Sequence, residues 1–141
     1  MSISYWKNLQ PFRIPQCWTI VQHQLMNIEP EELDKNDDKW LIMFVQDILQ
    51  IEKYLKRKIN KKVEQQKLII DLGWYPDGDP SGHFQLVAIL NSNWEFPLLQ
   101  FTSRSKKEIV ETLEYWLFEI FCNIYFIENE QNFRKCYKSY Q

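Results

Sequence analysis

Carboxylates dominate the polar chemistry of this chain. Glu29, Glu31, Glu32, Asp34, Asp37 and Asp38 place six of them in ten residues, relieved only by Lys35. A second set, Asp71, Asp77 and Asp79, surrounds the stretch Gly73-Trp-Tyr-Pro-Asp-Gly-Asp-Pro-Ser-Gly82. Paired carboxylates can divide acid and base roles, but no spacing here selects a pair. Asp77-Gly-Asp79 with Asp71 resembles a calcium loop only faintly, because the alternating ligands and the closing bidentate glutamate are missing. A cysteine nucleophile would need Cys17 or Cys122 beside His23 or His83. Cys122 lies in an apolar run, where a thiol is usually inert filler, and Cys17 flanks a strand. Three cysteines without paired spacing suggest neither a disulfide framework nor a zinc site. The three glycines form no phosphate-binding loop. These residues predict no enzyme, no metal and no cofactor, and they direct attention to binding.

The acidic block from 29 to 38 admits two readings. It is a solvated loop whose later aspartates cap the next helix, or an electronegative face that meets a basic partner, since such faces raise encounter rates and set specificity. The basic segment Lys53, Lys56, Arg57, Lys58, Lys61 and Lys62 is read as the solvated end of a helix. With a net charge of −2 over 141 residues, the chain is not expected to bind nucleic acid directly.

The elements that must position these groups centre on residues 67 to 103. All three glycines fall within Gly73–Gly82, so only this segment demands unusual backbone. Pro-Asp-Gly is a turn sequence, and Lys67-Leu-Ile-Ile-Asp-Leu and His83-Phe-Gln-Leu-Val-Ala-Ile-Leu flank it as strands. A β-hairpin over 67–90 follows, with a further strand at Pro97-Leu-Leu-Gln-Phe-Thr. Ser105 and Glu108 fit a capping box, and Ile109, Leu113, Trp116, Leu117 and Ile120 share one face of the helix it opens. Trp40, Phe44, Ile48 and Ile51 have helical spacing, so a buried helix is expected over 39–58. Trp18, Ile20 and Leu25 suggest an edge strand, with His23 as a half-exposed member. Phe118 to Ile127 make the last helix apolar nearly all round, and Tyr5, Trp6 and Phe12 could cover it. A short helix around Phe133, Cys136 and Tyr137 closes the chain. The expected fold is α+β: one domain over 1–141, with a small antiparallel sheet of about four strands packed against helices 39–58 and 105–127. No run reaches the roughly 18 apolar residues of a membrane span, and Lys7, Asn8 and Gln10 interrupt the first apolar residues, so a cytoplasmic location is expected.

The run Ile69 to Ile89, followed by Asn93-Trp-Glu-Phe-Pro-Leu and Phe101-Thr-Ser-Arg-Ser, resembles immunity proteins of bacterial contact-dependent growth inhibition and related polymorphic toxin systems. Asn27-Ile-Glu-Pro and the stretch from Trp40 to Ile51, with Asp47, look similar to the same group. The resemblance spans about residues 17–120, and its most specific part is Asp71-Leu-Gly-Trp-Tyr-Pro-Asp-Gly-Asp-Pro80. It implies a non-enzymatic cytoplasmic inhibitor that binds the C-terminal toxin domain of a large secreted protein, frequently a nuclease, and covers its active site or substrate groove. By the same resemblance, Trp74, Tyr75, Asp77 and Asp79 form the contact, or else this motif is scaffold and Glu31, Glu32, Asp34, Asp37 and Asp38 form it. A small homodimeric adaptor without a toxin is the alternative.

Overall fold

Alternation, not helical spacing, governs residues 49–59. Leu49, Ile51 and Leu55 are buried, while Gln50, Glu52, Tyr54 and Lys56 between them are not. The computed structural model, which describes residues 8–137, accordingly places β2 at Leu49–Ile59. Asn60 and Lys61 both take positive φ, 50° and 68°, the signature of a two-residue hairpin turn whose twist matches the flanking strands. Ile59 then faces Lys62 at the start of β3, Lys62–Tyr75. The helix expected over 39–58 is therefore corrected to a single turn, α1, at Trp40–Met43. Trp40 and Phe44 keep their helical spacing there; Ile48 and Ile51 share it only by coincidence with a strand period. The basic segment, expected as a helix end, is the far half of this hairpin.

Three more strands complete an antiparallel sheet of five in sequence order: β1 at Thr19–His23, β4 at His83–Leu90 and β5 at Leu99–Ser103. The fold is α+β, with one strand more than the four expected. Alternate residues of β2, β3 and β4 build the inner face, from Leu55 and Leu68 to Trp74 and Phe84. The outer face carries a cross-strand row of Gln22, Gln50, Asp71, Val87 and Gln100. His23 ends β1 on the inner side and is half-buried, with Nε2 3.0 Å from the Gln10 carbonyl oxygen and Nδ1 accepting from the Leu25 N–H at 3.3 Å.

Helix α2, Lys106–Tyr115, covers the inner face with Ile109 and Leu113. The Ser105 hydroxyl accepts from the Glu108 N–H at 3.2 Å. The reciprocal half of the expected capping box is rewired, since the Glu108 carboxylate takes the Ser103 hydroxyl and the Ser105 N–H donates to Ser103 Oγ at 2.9 Å. Glu29 supplies a second cap from far along the chain. Its two carboxylate oxygens accept from the Lys106 and Lys107 N–H groups at 2.8 and 3.0 Å. This anion at the positive end of the helix dipole offsets the unfavourable Lys106 and Lys107.

The helix continues as a wider π turn over Trp116–Ile120 and a tight 3-10 turn over Phe121–Asn123. It stops four residues before the expected end at 127. Buried Gln66 explains the stop: its side-chain amide donates to the Ile127 carbonyl at 2.7 Å and accepts from the Ile127 N–H at 3.0 Å. A buried amide left without partners would cost about 1–3 kcal/mol, so the chain is drawn out against β3. Phe126 lies under the Arg57 guanidinium at 4.0 Å. The short helix expected near Phe133 is α3, Glu130–Cys136, with Phe133 stacked on Phe121 at 5.8 Å. Phe12, expected to cover the last helix, packs against the core with its ring edge-on to His23 at 5.2 Å; Tyr5 and Trp6 lie outside the described residues. Among the described residues no helix is long and apolar enough to cross a membrane.

Candidate functional site: an acidic tip around Leu41 and Ile42

One turn of helix between a carboxylate-rich loop and a strand must be anchored to persist, because short helices are marginal alone. Aromatic packing anchors α1. Trp40 and Phe44 lie 4.3 Å apart, and Phe44, Trp74 and Phe84 continue the contact at 4.8 and 4.9 Å. The Trp40 indole N–H donates to the Asp34 carbonyl at 2.8 Å. With those two rings turned inward, Leu41 and Ile42 are left facing outward, 70% and 54% exposed.

The loop between β3 and β4 closes against this turn. The Gly78 N–H donates to the Phe44 carbonyl at 2.7 Å, and the Gln46 N–H to Asp77 Oδ1 at 2.6 Å. Gly78 has φ +70°, and a Cβ there would come within 2.8 Å of Leu41 Cδ2, so glycine serves both the turn and the seat of Leu41. Arg104 ties in the acidic block. Its guanidinium reaches Glu31 at 3.1 Å and donates to the Pro80 carbonyl at 3.0 Å and to the Gly82 carbonyl. The fold thus joins at one end of the sheet the two regions that the sequence kept forty residues apart.

The individual carboxylates differ in freedom. Glu31 is paired with Arg104, and Glu32 accepts from the Glu29 N–H at 2.7 Å. Asp34 accepts from the Asn36 N–H at 2.9 Å, and Asp37 from the Lys39 N–H at 2.9 Å, a bond that holds its pKa below the usual value. Asp38 is exposed. The block thus shapes its own turns and leaves its charges open to solvent, while no aspartate side chain caps α1, whose N-cap is Lys39. Asp79 accepts from the Ser81 hydroxyl and N–H at 2.7 and 2.8 Å, which likewise lowers its pKa. Asp79 is thus engaged by its own loop and Asp77 by the Gln46 N–H across from it, as in a scaffold.

Trp74 is a correction. Of its two expected roles, contact or scaffold, the first is corrected: it is fully buried and donates its indole N–H to the Asp79 carbonyl at 2.7 Å. Its part is to hold the loop that presents Asp77. Tyr75 is half-buried on the outer face, where burial, followed by the charges of Asp71, Asp47 and Asp77, pushes its phenol up. Cys122, read as buried filler, is exposed, as are Cys17 and Cys136. The residues that sequence reasoning missed are Leu41 and Ile42, which looked like the continuation of a buried helix.

Comparisons with protein-family models, with curated proteins and with solved structures return no match. The site's own chemistry carries the reading that follows.

Beside the tip, Asp71 sits on the outer face with its pKa raised to about 6, first by burial and then by the charge of Asp47. A carboxyl that holds its proton more tightly when folded stabilises the protein below its unfolded pKa, near 3.8, and that contribution is lost as pH rises through about 6. Asp71→Asn should therefore raise the melting temperature at pH 7.5 and have little effect at pH 4. Thermal melts of both proteins across that range test this; equal effects at both pH values would show that the Asp71 charge carries no folding penalty.

Proposed function

We propose that this protein is a non-enzymatic immunity protein that binds and neutralises the toxin domain of a contact-dependent growth inhibition system. The toxin class we propose is a nuclease. The observation that carries the reading is the exposed Leu41–Ile42 pair set among Asp34, Asp37, Asp38 and Asp77, held rigid by Trp40 and Phe44. Interfaces concentrate binding energy in a central apolar cluster with a polar rim, and the tip has that arrangement. Its rim is anionic, while a nuclease groove is cationic because it must hold phosphates. Carboxylates at the spacing of a surface loop can occupy that groove in place of the substrate, speeding association and excluding nucleic acid. The resemblance of the Asp71–Pro80 stretch to immunity proteins supports the same reading.

The decisive experiment is co-expression with the toxic C-terminal domain encoded beside this gene. Restored growth, a stoichiometric complex on a tag, and loss of nuclease activity in that complex are the expected results. Failure of both rescue and co-purification by a soluble, folded protein would overturn the proposal. Within the complex, Asp34→Lys, Asp37→Lys and Asp38→Lys together should slow association and flatten its dependence on salt. The two local hydrogen bonds lost are exposed, so the melting temperature should change little. Unchanged association kinetics in a titration over salt would remove the acidic rim from the mechanism.

A further inference from the structure

Between Lys53 and Lys67 the chain carries seven cations and one anion, Glu64, in a protein whose net charge is −2. The sheet changes at this point. β1 pairs β2 only as far as Glu52, and β4 pairs β3 only from Leu68 onward. From Lys53 to Lys67 the hairpin is two strands alone. Ile59 lies ten residues along β2 from Leu49, roughly 33 Å at the rise of an extended strand, so the turn stands at the far end of the sheet from the acidic tip.

Three of the cations already have partners. Arg57 bridges Glu64 at 3.1 Å and Glu128 at 2.6 Å, Lys67 pairs with Glu52 at 3.1 Å, and Lys53 lies 5.8 Å over the Trp18 ring. Lys56, Lys58, Lys61 and Lys62 are exposed and make no ion pair among the described residues. The inner side of the ribbon is braced by Phe126 under Arg57 and by Ile127 on Gln66. The outer side and the turn are open, with Tyr54, Lys56, Lys58, Val63 and Gln65 along them.

Net charge alone argued against nucleic acid, but the fold gathers the cations on one ribbon, and we infer that it is a binding arm for duplex DNA, with Lys56, Lys58, Lys61 and Lys62 reaching the phosphates while the two strands sit in the major groove. That groove, about 12 Å wide, admits a two-stranded β-ribbon. A ribbon braced on one side loses little freedom on binding, which favours association. Four lysines matched to phosphates would release counterions and give a log–log salt slope of about −3 to −4. The inference does not rest on the toxin reading, because it concerns the opposite end of the molecule and needs no toxin to test.

The test is fluorescence polarisation of a short labelled DNA duplex titrated with the full protein at several salt concentrations. Native protein should bind at low salt with a slope in that range. Lys56→Glu, Lys58→Glu, Lys61→Glu and Lys62→Glu together should lower affinity more than about tenfold and flatten the slope, with an unchanged circular dichroism spectrum. The Lys→Gln versions of the four should lie between. No duplex binding at low salt, equal binding by the charge-reversed protein, equal binding of a single strand of matched length, or preference for anionic vesicles over the duplex would each overturn the inference.

Discussion

Gly73→Ala is expected to destabilise the fold by more than about 3 kcal/mol, beyond the usual range for a single added methyl in a packed site. A Cβ at Gly73 would stand 2.2 Å from the Gln46 carbonyl oxygen, far inside van der Waals contact. That oxygen is poorly placed to yield. The Val45 carbonyl accepts from the Trp74 N–H at 2.8 Å, the Ile48 N–H donates to Leu72 at 3.0 Å, and the Gln46 N–H is held by Asp77 at 2.6 Å. The chain between α1 and β2 therefore bulges over Gly73 with hydrogen bonds on both sides, the kind of local excess residue that re-aims a strand beside a site. With total stabilities of about 5–15 kcal/mol, a loss of that size should lower the melting temperature by roughly 10 °C. A melt within a degree or two of the native protein would mean that the bulge shifts easily and that the tip is less rigid than its hydrogen bonds imply.

Leu41→Ser combined with Ile42→Ser should weaken binding to the proposed toxin partner by about 30- to 1000-fold, the 2–4 kcal/mol typical of losing a central hot spot. Both side chains are mostly in solvent in the free protein, and exposed substitutions usually change stability by no more than about 0.5 kcal/mol each. Calorimetric titration against the purified toxin domain, with thermal melts of both proteins, separates the two effects. Native affinity in the double variant would move the contact away from α1. A matched loss of affinity and melting temperature would instead mean that Leu41 acts through its seat on Gly78.

The sequence carried the local chemistry of the fold well and its longer segments less well. Pro76-Asp-Gly78, the clustered glycines and the branched runs beside them announced the β3–β4 hairpin, and Ser105 announced the start of α2. The region 39–58 was ambiguous for a physical reason: Trp40, Phe44, Ile48 and Ile51 satisfy a helical period, while Leu49, Ile51 and Leu55 satisfy a period of two. The turn that would have decided it, Asn60-Lys61, contains no glycine, although both residues take positive φ. The end of α2 was hidden because it depends on Gln66, a partner sixty-one residues away in the chain. The acidic block and the Trp74–Asp79 loop were both recognised as candidates, but their meeting through Arg104 is a tertiary fact. Leu41 and Ile42 became visible only once α1 was one turn long.

The strict sequence order of the five strands bears on how the chain is made. Every strand pairs with its immediate neighbours in sequence, so strand pairing from β2 onward closes only short loops and can advance as residues leave the ribosome, a low contact-order route. Its inner face is different. Trp40 and Phe44 cover its tip end, but the other large residues that cover it, Ile109, Leu113, Trp116, Leu117, Phe121 and Phe133, are all synthesised after β5. During synthesis a nascent chain that has reached Ser103 holds a formed sheet with much of its apolar side uncovered, a species prone to aggregation. Translation that stalls or terminates before α2 would yield insoluble product, so the last quarter of the chain acts as the sheet's delayed cover.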